Sequence, residues 1–566
     1  MSGKTGLRVV PALTVALFML PIGAGLVGTL LPAFGYLPAI GGHALSLDPW
    51  RRLFAYPGFA TALATTLFTG VAATLLSTLL AVGLCAVAHG TPLARRASAW
   101  VAPVLSTPHA AIAIGVAFLI APSGWIARAL SPWLTGWTLP PDVATVGHPS
   151  GWPLIACLVL KEMPYLVLMI ASALHQVPAA PQLAVARSLG YGRVESWLKV
   201  VLPQIYPQIR LPIFAVLAFS LSVVDVALIL GPGNPPTLAV LAVRWFADPA
   251  ITQYFPAAAA ATLSLAIVIV AVAAWHVSER AVAFAGRRWI ARGRRHGAAT
   301  VISRIACALA VGSFVVSAFA VAGMALWSVS EQWRFPAALP DNWTLANWSR
   351  QMGAIAAPFS TTLLLGALAS AIAVILAAGC LENEALTRRR AGIRSLWLLY
   401  VPLLVPQIAF LFGAQVLLIR ARLDGTVFAV LWAHLVFVVP YVFLSLADSW
   451  RALDPRYARA AASLGASPWR VFARIKLPLL LGPLLIAAAV GFAVSVGQYL
   501  PTLFAGNGRV ATLTTDAVTL AAGADRRVIG VYAALQALLP CVAYLAAIAC
   551  GSRLRTAPTA SARVTQ

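Results

Sequence analysis

Charged side chains are scarce in this 566-residue sequence. Asp, Glu, Lys and Arg make up 10% of it, whereas a soluble domain uses about 25%. Apolar residues make up 61%, and many apolar runs exceed the ~20 residues needed to cross the hydrocarbon core of a bilayer. The composition excludes a soluble globular protein and predicts an all-α polytopic membrane protein.

Cysteines and catalytic motifs are also few. The six cysteines lie in or at the ends of apolar runs without a CxxC pair, so neither disulfides nor a metal site is expected. No H-E-x-x-H motif occurs, and Gly3-Lys4-Thr5 lacks the upstream glycine and the strand of a phosphate-binding loop. We therefore expect no catalytic residue, no metal ligand and no cofactor bound by this chain.

The net charge of +24 raises the question of nucleic-acid binding. The basic residues instead cluster in short loops between apolar runs, for example at Arg95, Arg96 and residues 287–295. In the topology below, 28 Lys and Arg fall on one side of the membrane and 11 on the other, with Lys161 inside a span. This asymmetry is the positive-inside bias; it indicates orientation and argues against a nucleic-acid partner.

Twelve apolar runs are each long enough to span the membrane. Since lipid requires backbone hydrogen bonds to close internally, each run is predicted to be a helix. Twelve spans place both termini on the same side, together with the basic segments, and that side is therefore cytoplasmic. The runs are 9–31, 58–88, 99–121, 152–176, 207–231, 255–275, 302–327, 358–380, 396–419, 427–447, 479–505 and 530–550.

The two halves of the chain correspond. Residues 184–238 align with 459–513 without a gap, and the 13 matches among 55 positions include glycines and prolines held in register. Because these residues fix backbone shape, the register favours two parallel six-helix repeats, an arrangement known in transporters. The predicted organisation is a first repeat (1–275), a basic cytoplasmic linker (276–300), a second repeat (301–550) and a cytoplasmic tail (551–566).

A basic, aromatic-bearing segment occurs once in each repeat, at 182–203 and 457–478. In the second copy, Gly465 suits the end of one helix, and Ser467 suits the N-cap of the next. Trp469 and Phe472 then share one face of a short amphipathic helix and Arg470 lies on another, with Pro478 before the next span.

The first copy predicts the same shape from different residues. Gly190 ends one helix, Val194 and Trp197 form the apolar face, and Glu195 pairs with Lys199. Arg193 adds a cation and Pro203 closes the helix. One interpretation of both copies is a helix resting on anionic headgroups; the other is a docking element for a cytoplasmic partner that is itself a two-fold dimer.

Both copies resemble the signature loop of binding-protein-dependent ABC import permeases, EAA---G---------I-LP. The 13-residue spacing from glycine to proline is kept twice, although Ala184 and Arg459 replace the signature glutamate. We call residues 182–203 the first coupling loop and 457–478 the second coupling loop. The matching residues are Ala186, Gly190, Val200, Leu202 and Pro203 in the first, and Ala460, Ala461, Gly465, Ile475, Leu477 and Pro478 in the second.

The resemblance implies a type I ABC importer-like fold, similar to the fused two-repeat permeases that import ferric iron or thiamine. It implies an ABC ATPase homodimer docked on the coupling loops, with ATP and Mg²⁺ on that partner. It also implies a periplasmic or extracellular substrate-binding protein and a place in the bacterial cytoplasmic membrane. The cargo is not specified by these residues.

Ionisable residues inside spans are costly and are candidates for the translocation path. Lys161 and Glu162 lie in the fourth span, and Asp225 lies in the fifth. Asp225 is interpreted as a path residue, as a partner of Lys161 or as a helix-end group near water. Its register partner is Leu500, with Gln498 nearby, so a substrate site would be asymmetric.

Two other function classes compete with an ABC permease. A 12-span secondary transporter needs polar clusters at a midplane site, and the spans offer few. An intramembrane enzyme needs a nucleophile–base or metal constellation, and the sequence offers none. The sequence therefore favours the permease subunit of an ABC importer.

Overall fold

The computed structural model describes residues 2–295, 297–387 and 393–556. These residues form helices joined by turns, and none of them lies in a β-strand. Two isolated β-bridges, Leu37 with Gly42 and Ser330 with Trp343, close loops. Within the predicted tail, residues 557–566 lie outside the described residues.

The described part of the first half contains thirteen α-helices, two short 3-10 turns (Pro38–Ile40 and Ile251–Gln253) and a π-helical turn (Trp197–Val201). The α-helices are α1 (Ser2–Ala33), α2 (Asp48–Ala55), α3 (Phe59–Ala88), α4 (Pro92–Ser106), α5 (His109–Ile120), α6 (Trp125–Leu130), α7 (Trp152–Leu174), α8 (Ala179–Ser188), α9 (Arg193–Ser196), α10 (Leu202–Ser222), α11 (Asp225–Leu230), α12 (Leu238–Phe246) and α13 (Tyr254–Ala291).

The described part of the second half contains a matching π-helical turn (Phe472–Lys476). Its α-helices are α14 (Ala298–Ser328), α15 (Ala346–Thr387), α16 (Ile393–Leu404), α17 (Gln407–Arg420), α18 (Val427–Arg451), α19 (Pro455–Ser463), α20 (Pro468–Val471), α21 (Leu477–Leu479), α22 (Leu481–Val496), α23 (Leu500–Gly506), α24 (Leu513–Ala521) and α25 (Arg526–Thr556).

The predicted all-α membrane architecture is confirmed. Among the described residues, ten helical segments are long and apolar enough to span a membrane, and the number is twelve if each of two bent helix pairs is counted as one span. The pairs bend by 90° between α16 and α17, and by 74° between Leu479 and Leu481. Each predicted run overlaps one of these segments. The helix α13 continues to Ala291, so most of the predicted linker is helical.

Equivalent hydrogen bonds hold equivalent helices in the two repeats. The backbone N–H of Leu238, at the start of α12, donates to Oγ1 of Thr66 in α3 at 2.9 Å. The backbone N–H of Leu513, at the start of α24, donates to Oγ1 of Thr362 in α15 at 3.0 Å. The same threonine–leucine contact in both halves is the structural counterpart of the sequence repeat.

The first helix of each repeat packs on the other repeat. Helix α1 lies along α17, and α14 lies against α3 and α5. Glycines permit the close approach: a Cβ on Gly413 would meet the backbone of Gly25 and Gly28, and one on Gly115 would meet the carbonyl of Ala320 at 2.6 Å. Small residues at such crossings let helix backbones pack closely in membranes.

Candidate functional site: two coupling loops and a polar cluster between broken helices

Both coupling loops begin with the same helix end. Helix α8 and helix α19 each stop before a glycine in the left-handed region, Gly190 at φ +85° and Gly465 at φ +80°, a conformation that only glycine adopts without strain. The leucine before each glycine points outward. Leu189 is 59% exposed and Leu464 is 88% exposed. Each copy therefore presents an apolar tip at the same position of the repeat.

The second coupling loop largely has the predicted form. Ser467 accepts a hydrogen bond from the backbone N–H of Arg470 at 3.3 Å and so caps α20. Trp469 is 72% exposed, and its ring stacks on that of Phe472 with centroids 5.6 Å apart. Arg470 and Pro478 are exposed. The bend after Leu479 leaves this helix standing apart from the following span.

The first coupling loop departs from the prediction. Residues 193–222 form one span-length helical segment that passes through Pro203, so Pro203 does not close a separate short helix. The π-helical turn just before it accommodates the missing backbone donor. Val194 is buried and Trp197 is 1% exposed. The expected apolar face for a partner is instead packed inside the chain.

The predicted ion pair between Glu195 and Lys199 does not form. Glu195 Oε1 accepts hydrogen bonds from the Gly297 backbone N–H, at 3.2 Å, and from the Thr300 hydroxyl. Lys199 Nζ donates to the Arg294 carbonyl at 2.7 Å. Both side chains are buried, and a buried charge requires such partners. The segment between the repeats covers this face and supplies these bonds.

The remaining loop positions are structural or basic. Ala186 and Ala461 are buried and support the two helix ends, while Ala184 and Arg459, at the signature glutamate position, are exposed. Arg193 is exposed, and its guanidinium donates to the His89 carbonyl. Burial, together with nearby Arg193 and Arg187, lowers the pKa of the His89 imidazole, which favours its neutral form at neutral pH.

A buried ion pair anchors the second coupling loop. Lys476 Nζ lies 2.7 Å from Glu382 Oε1 near the end of α15, and Oε2 of Glu384, two residues further on, lies 3.0 Å from a guanidinium nitrogen of Arg451. Both glutamates lie in helix α15, and Glu382 is buried; residues 388–392 lie outside the described residues.

Lys161 is engaged by backbone rather than by a carboxylate. Its Nζ donates to the carbonyls of Val104 at 2.8 Å and Thr107 at 2.5 Å, with a longer contact to Leu105 at 3.4 Å. These carbonyls lie at the end of α4, where helix geometry leaves them without intrahelical donors. Lys161 is buried and acts as a C-terminal cap for α4, so in this structure it binds backbone carbonyls, and the pairing with Asp225, one of the three interpretations above, is not formed.

The other membrane carboxylates lie near a histidine. Glu162 Oε1 is 3.2 Å from Nε2 of His109, the first residue of α5. Asp225 begins α11 and is half-buried, within electrostatic range of His109. Gln498 is buried, and Tyr499 beside it interacts electrostatically with Asp225. The two repeats therefore meet at one polar cluster, defined by His109, Glu162, Asp225 and Tyr499.

Helix interruptions surround this cluster. In the first repeat, α4 ends at Ser106 before α5, and α10 ends at Ser222 before α11. In the second, α16 ends before Pro406, and α22 ends before Gln498. Irregular backbone within a membrane is tolerated only where protein or a water-filled cavity surrounds it. The interruptions and the ionisable residues thus mark the same region between the repeats.

Comparison with known proteins gives the family. The model of the family described as "Binding-protein-dependent transport system inner membrane component" matches residues 385–554. The chain is 33% identical over 503 residues to the inner membrane ABC transporter permease protein YnjC of Escherichia coli, covering 88% of this chain and 90% of YnjC.

The chain belongs to the ABC transporter permease family. Shorter matches agree with this assignment. The permease protein PhnV of Salmonella typhimurium is 29% identical over 178 residues, 30% of this chain and 65% of PhnV. The molybdenum transport system permease protein ModB of Mycobacterium tuberculosis is 31% identical over 187 residues, 30% of this chain and 70% of ModB. The chain is thus a multi-pass inner membrane permease subunit of an ABC importer.

Two features of this ABC permease were missed from its sequence. The outward leucines, Leu189 and Leu464, belong to an identical Ser-Leu-Gly triplet in the two copies, a signal that could have identified them. The role of His109 had no such signal, because its partner Glu162 lies 53 residues away in the chain.

Proposed function

We propose that this ABC permease joins its two repeats into one translocation path for a small solute. An ABC ATPase homodimer binds the two coupling loops at the cytoplasmic face. A separate substrate-binding protein delivers the solute at the opposite face. Both termini and the basic segments lie in the cytoplasm, in keeping with the positive-inside bias.

The duplicated helix–glycine–helix turn carries this proposal. Gly190 and Gly465 share one backbone conformation and follow an exposed leucine in each copy. A two-fold partner has two equivalent pockets and fits two such tips. The ATP and Mg²⁺ belong to that partner, and closure of the ATPase dimer would move one repeat against the other.

The polar cluster is the proposed path. Glu162, Asp225 and His109 supply ionisable groups between the broken helices, with Gln498 beside them. Lys161 is not included, because its ammonium group binds the carbonyls at the end of α4. ModB is named as a molybdenum transport system permease and matches 30% of this chain. The cargo proposed for this chain is a small solute.

The test begins with the partner. The tagged full chain is purified from its native membranes, the co-purifying ATP-binding subunit is identified by mass spectrometry, and the two are reconstituted in proteoliposomes. Leu189→Glu and Leu464→Glu each place a charge on an apolar tip, and we expect each to abolish co-purification and ATP hydrolysis by the complex. Leu45→Glu, at an exposed leucine outside the loops, is the matched control.

Trp469→Glu and Gly465→Pro are expected to uncouple ATP hydrolysis from transport while membrane insertion is retained. Retention of the ATPase by both leucine variants at the wild-type level would contradict the docking proposal. Labelling of a Leu464→Cys variant from outside sealed cells by an impermeant maleimide would contradict the orientation.

A further inference from the structure

The segment between the repeats forms part of the surface of the first coupling loop. The backbone N–H of Gly192 donates to the Arg295 carbonyl at 3.1 Å, and Lys199 binds the carbonyl of Arg294. Lys199 Nζ also lies over the rings of Trp289, at 4.7 Å, and Tyr191, at 5.0 Å. These contacts hold residues 289–295 directly against the loop.

The linker covers two positions of the first coupling loop whose equivalents in the second coupling loop are exposed arginines. Glu195 is equivalent to Arg470, and Lys199 is equivalent to Arg474, at the repeat spacing of 275 residues. Arg470 and Arg474 are exposed, whereas Glu195 and Lys199 are buried. At these two positions the first coupling loop therefore presents no exposed cation of its own, and Arg193 is the exposed cation that remains on α9.

The linker places two exposed arginines beside the first coupling loop. Arg294 and Arg295 are exposed, and a Cβ added to Gly190 would meet Cδ of Arg295 at 3.2 Å. Arg295 thus lies beside the residue that follows the exposed tip Leu189. An apolar tip with an arginine rim occurs in both copies, although the rim comes from different parts of the sequence.

We infer that Arg294 and Arg295 are part of the ATPase-docking surface, and that the partner carries acidic residues around its pocket for Leu189. This inference rests on the proposed function. The ATPase is favoured over anionic lipid because the arginines are bonded through their backbone to the coupling loop. They also replace cations that, in the second copy, stand on the coupling loop itself.

Photo-crosslinking in the full chain tests the inference. Benzoylphenylalanine is introduced separately at Leu189, Leu464, Arg295 and Val282, the last being an exposed position earlier in the linker. The backbone carbonyl of Arg295 is retained in this variant. We expect the first three positions to crosslink to the identified ATPase subunit and position 282 to fail.

Charge reversal gives a second measurement. The pair Arg294→Glu and Arg295→Glu should weaken ATPase binding about tenfold at low salt, with the difference shrinking as salt screens the rim. The pair Arg280→Glu and Arg287→Glu changes the net charge equally at exposed sites farther from the loop, and should change binding less than twofold.

The outcomes separate the two proposals. Crosslinks from positions 189 and 464 to the ATPase, with position 295 reaching only lipid or this chain itself, would overturn the inference and leave the proposed function standing. Equal weakening by both charge-reversal pairs would also overturn it, since this result indicates that net charge, and not these two positions, governs ATPase binding. Failure of positions 189 and 464 together would overturn both.

Discussion

The two coupling loops share a backbone plan but differ in what surrounds them. In the first, Val194 and Trp197 are enclosed by the chain; in the second, the equivalent residues Trp469 and Phe472 are exposed and half-buried. The first continues straight into its membrane helix, whereas the second bends by 74°. The linker lies against the face of the first copy that carries Glu195 and Lys199.

This difference separates what the repeat requires from what it allows to vary. The left-handed glycine and the outward leucine occur in both copies, so they are the features that the proposed docking role would require of each. The residues that follow them serve as a packed anchor in one copy and as an accessible aromatic surface in the other. Paired substitutions at equivalent positions therefore test the comparison directly.

The largest contrast is expected at the equivalent aromatic residues. Trp197→Ala removes a side chain that is fully enclosed, and truncation of a core tryptophan costs about 4 kcal/mol. Phe472→Ala removes a half-buried ring and should cost about 1 kcal/mol. Thermal unfolding of each variant in detergent measures the difference. Equal losses of stability would show that the two environments do not differ in solution.

The buried ion pair of the second copy gives the next effect. Glu382→Ala leaves Lys476 without its carboxylate in a buried site and should destabilise the protein by about 3 kcal/mol. The double variant Glu382→Leu with Lys476→Met removes both charges and should fall within about 1 kcal/mol of wild type. A double variant as unstable as the single one would contradict this account of the pair.

Glu195→Ala tests the anchor in the first copy. It removes the acceptor of the Gly297 N–H and the Thr300 hydroxyl, at a cost of about 2 kcal/mol for unsatisfied donors, and should speed tryptic cleavage at Arg294 and Arg295. Arg470→Ala, at the equivalent exposed position, should change stability by less than about 0.5 kcal/mol. Unchanged cleavage in the Glu195 variant would mean that this carboxylate does not hold the linker.

The smallest effect should be the same in both copies. Gly190→Ala and Gly465→Ala each place a Cβ on a residue at positive φ, which costs about 1 kcal/mol. Gly465 has open space around it, and the nearest atom to Gly190 is in a flexible arginine side chain, so sterics should add little. A stability loss confined to one copy would argue against a shared backbone requirement.

Local features of the fold could be predicted from the sequence. The positions of the apolar runs, the glycine helix ends and the Ser467 cap follow from interactions within a few residues. The predicted pairing of Glu195 with Lys199 was wrong because it, too, considered only interactions within a few residues. A one-turn rule considers only neighbours on one helix, and both side chains bind residues about 100 positions away.

The polar cluster shows the same limit inside the membrane. Lys161, Glu162 and Asp225 were identified because ionisable groups are rare in spans. Their partners depend on how α4, α5 and α7 cross, which the apolar pattern does not encode. Lys161 binds the open carbonyls at the end of α4, and the sequence pattern does not indicate that these carbonyls lie beside it.

The glycine-lined crossings of α1 with α17 and of α14 with α5 bear on how the protein could be divided. After a backbone cleavage near Gly293 the two polypeptides would stay associated, because each has one helix that packs along the opposite half. Parting them would require drawing a whole apolar helix away from its neighbour within the bilayer. The covalent connection is thus not needed to keep the halves together. Its cleavage would first expose the buried side chains of Lys199 and Glu195, which bind the linker.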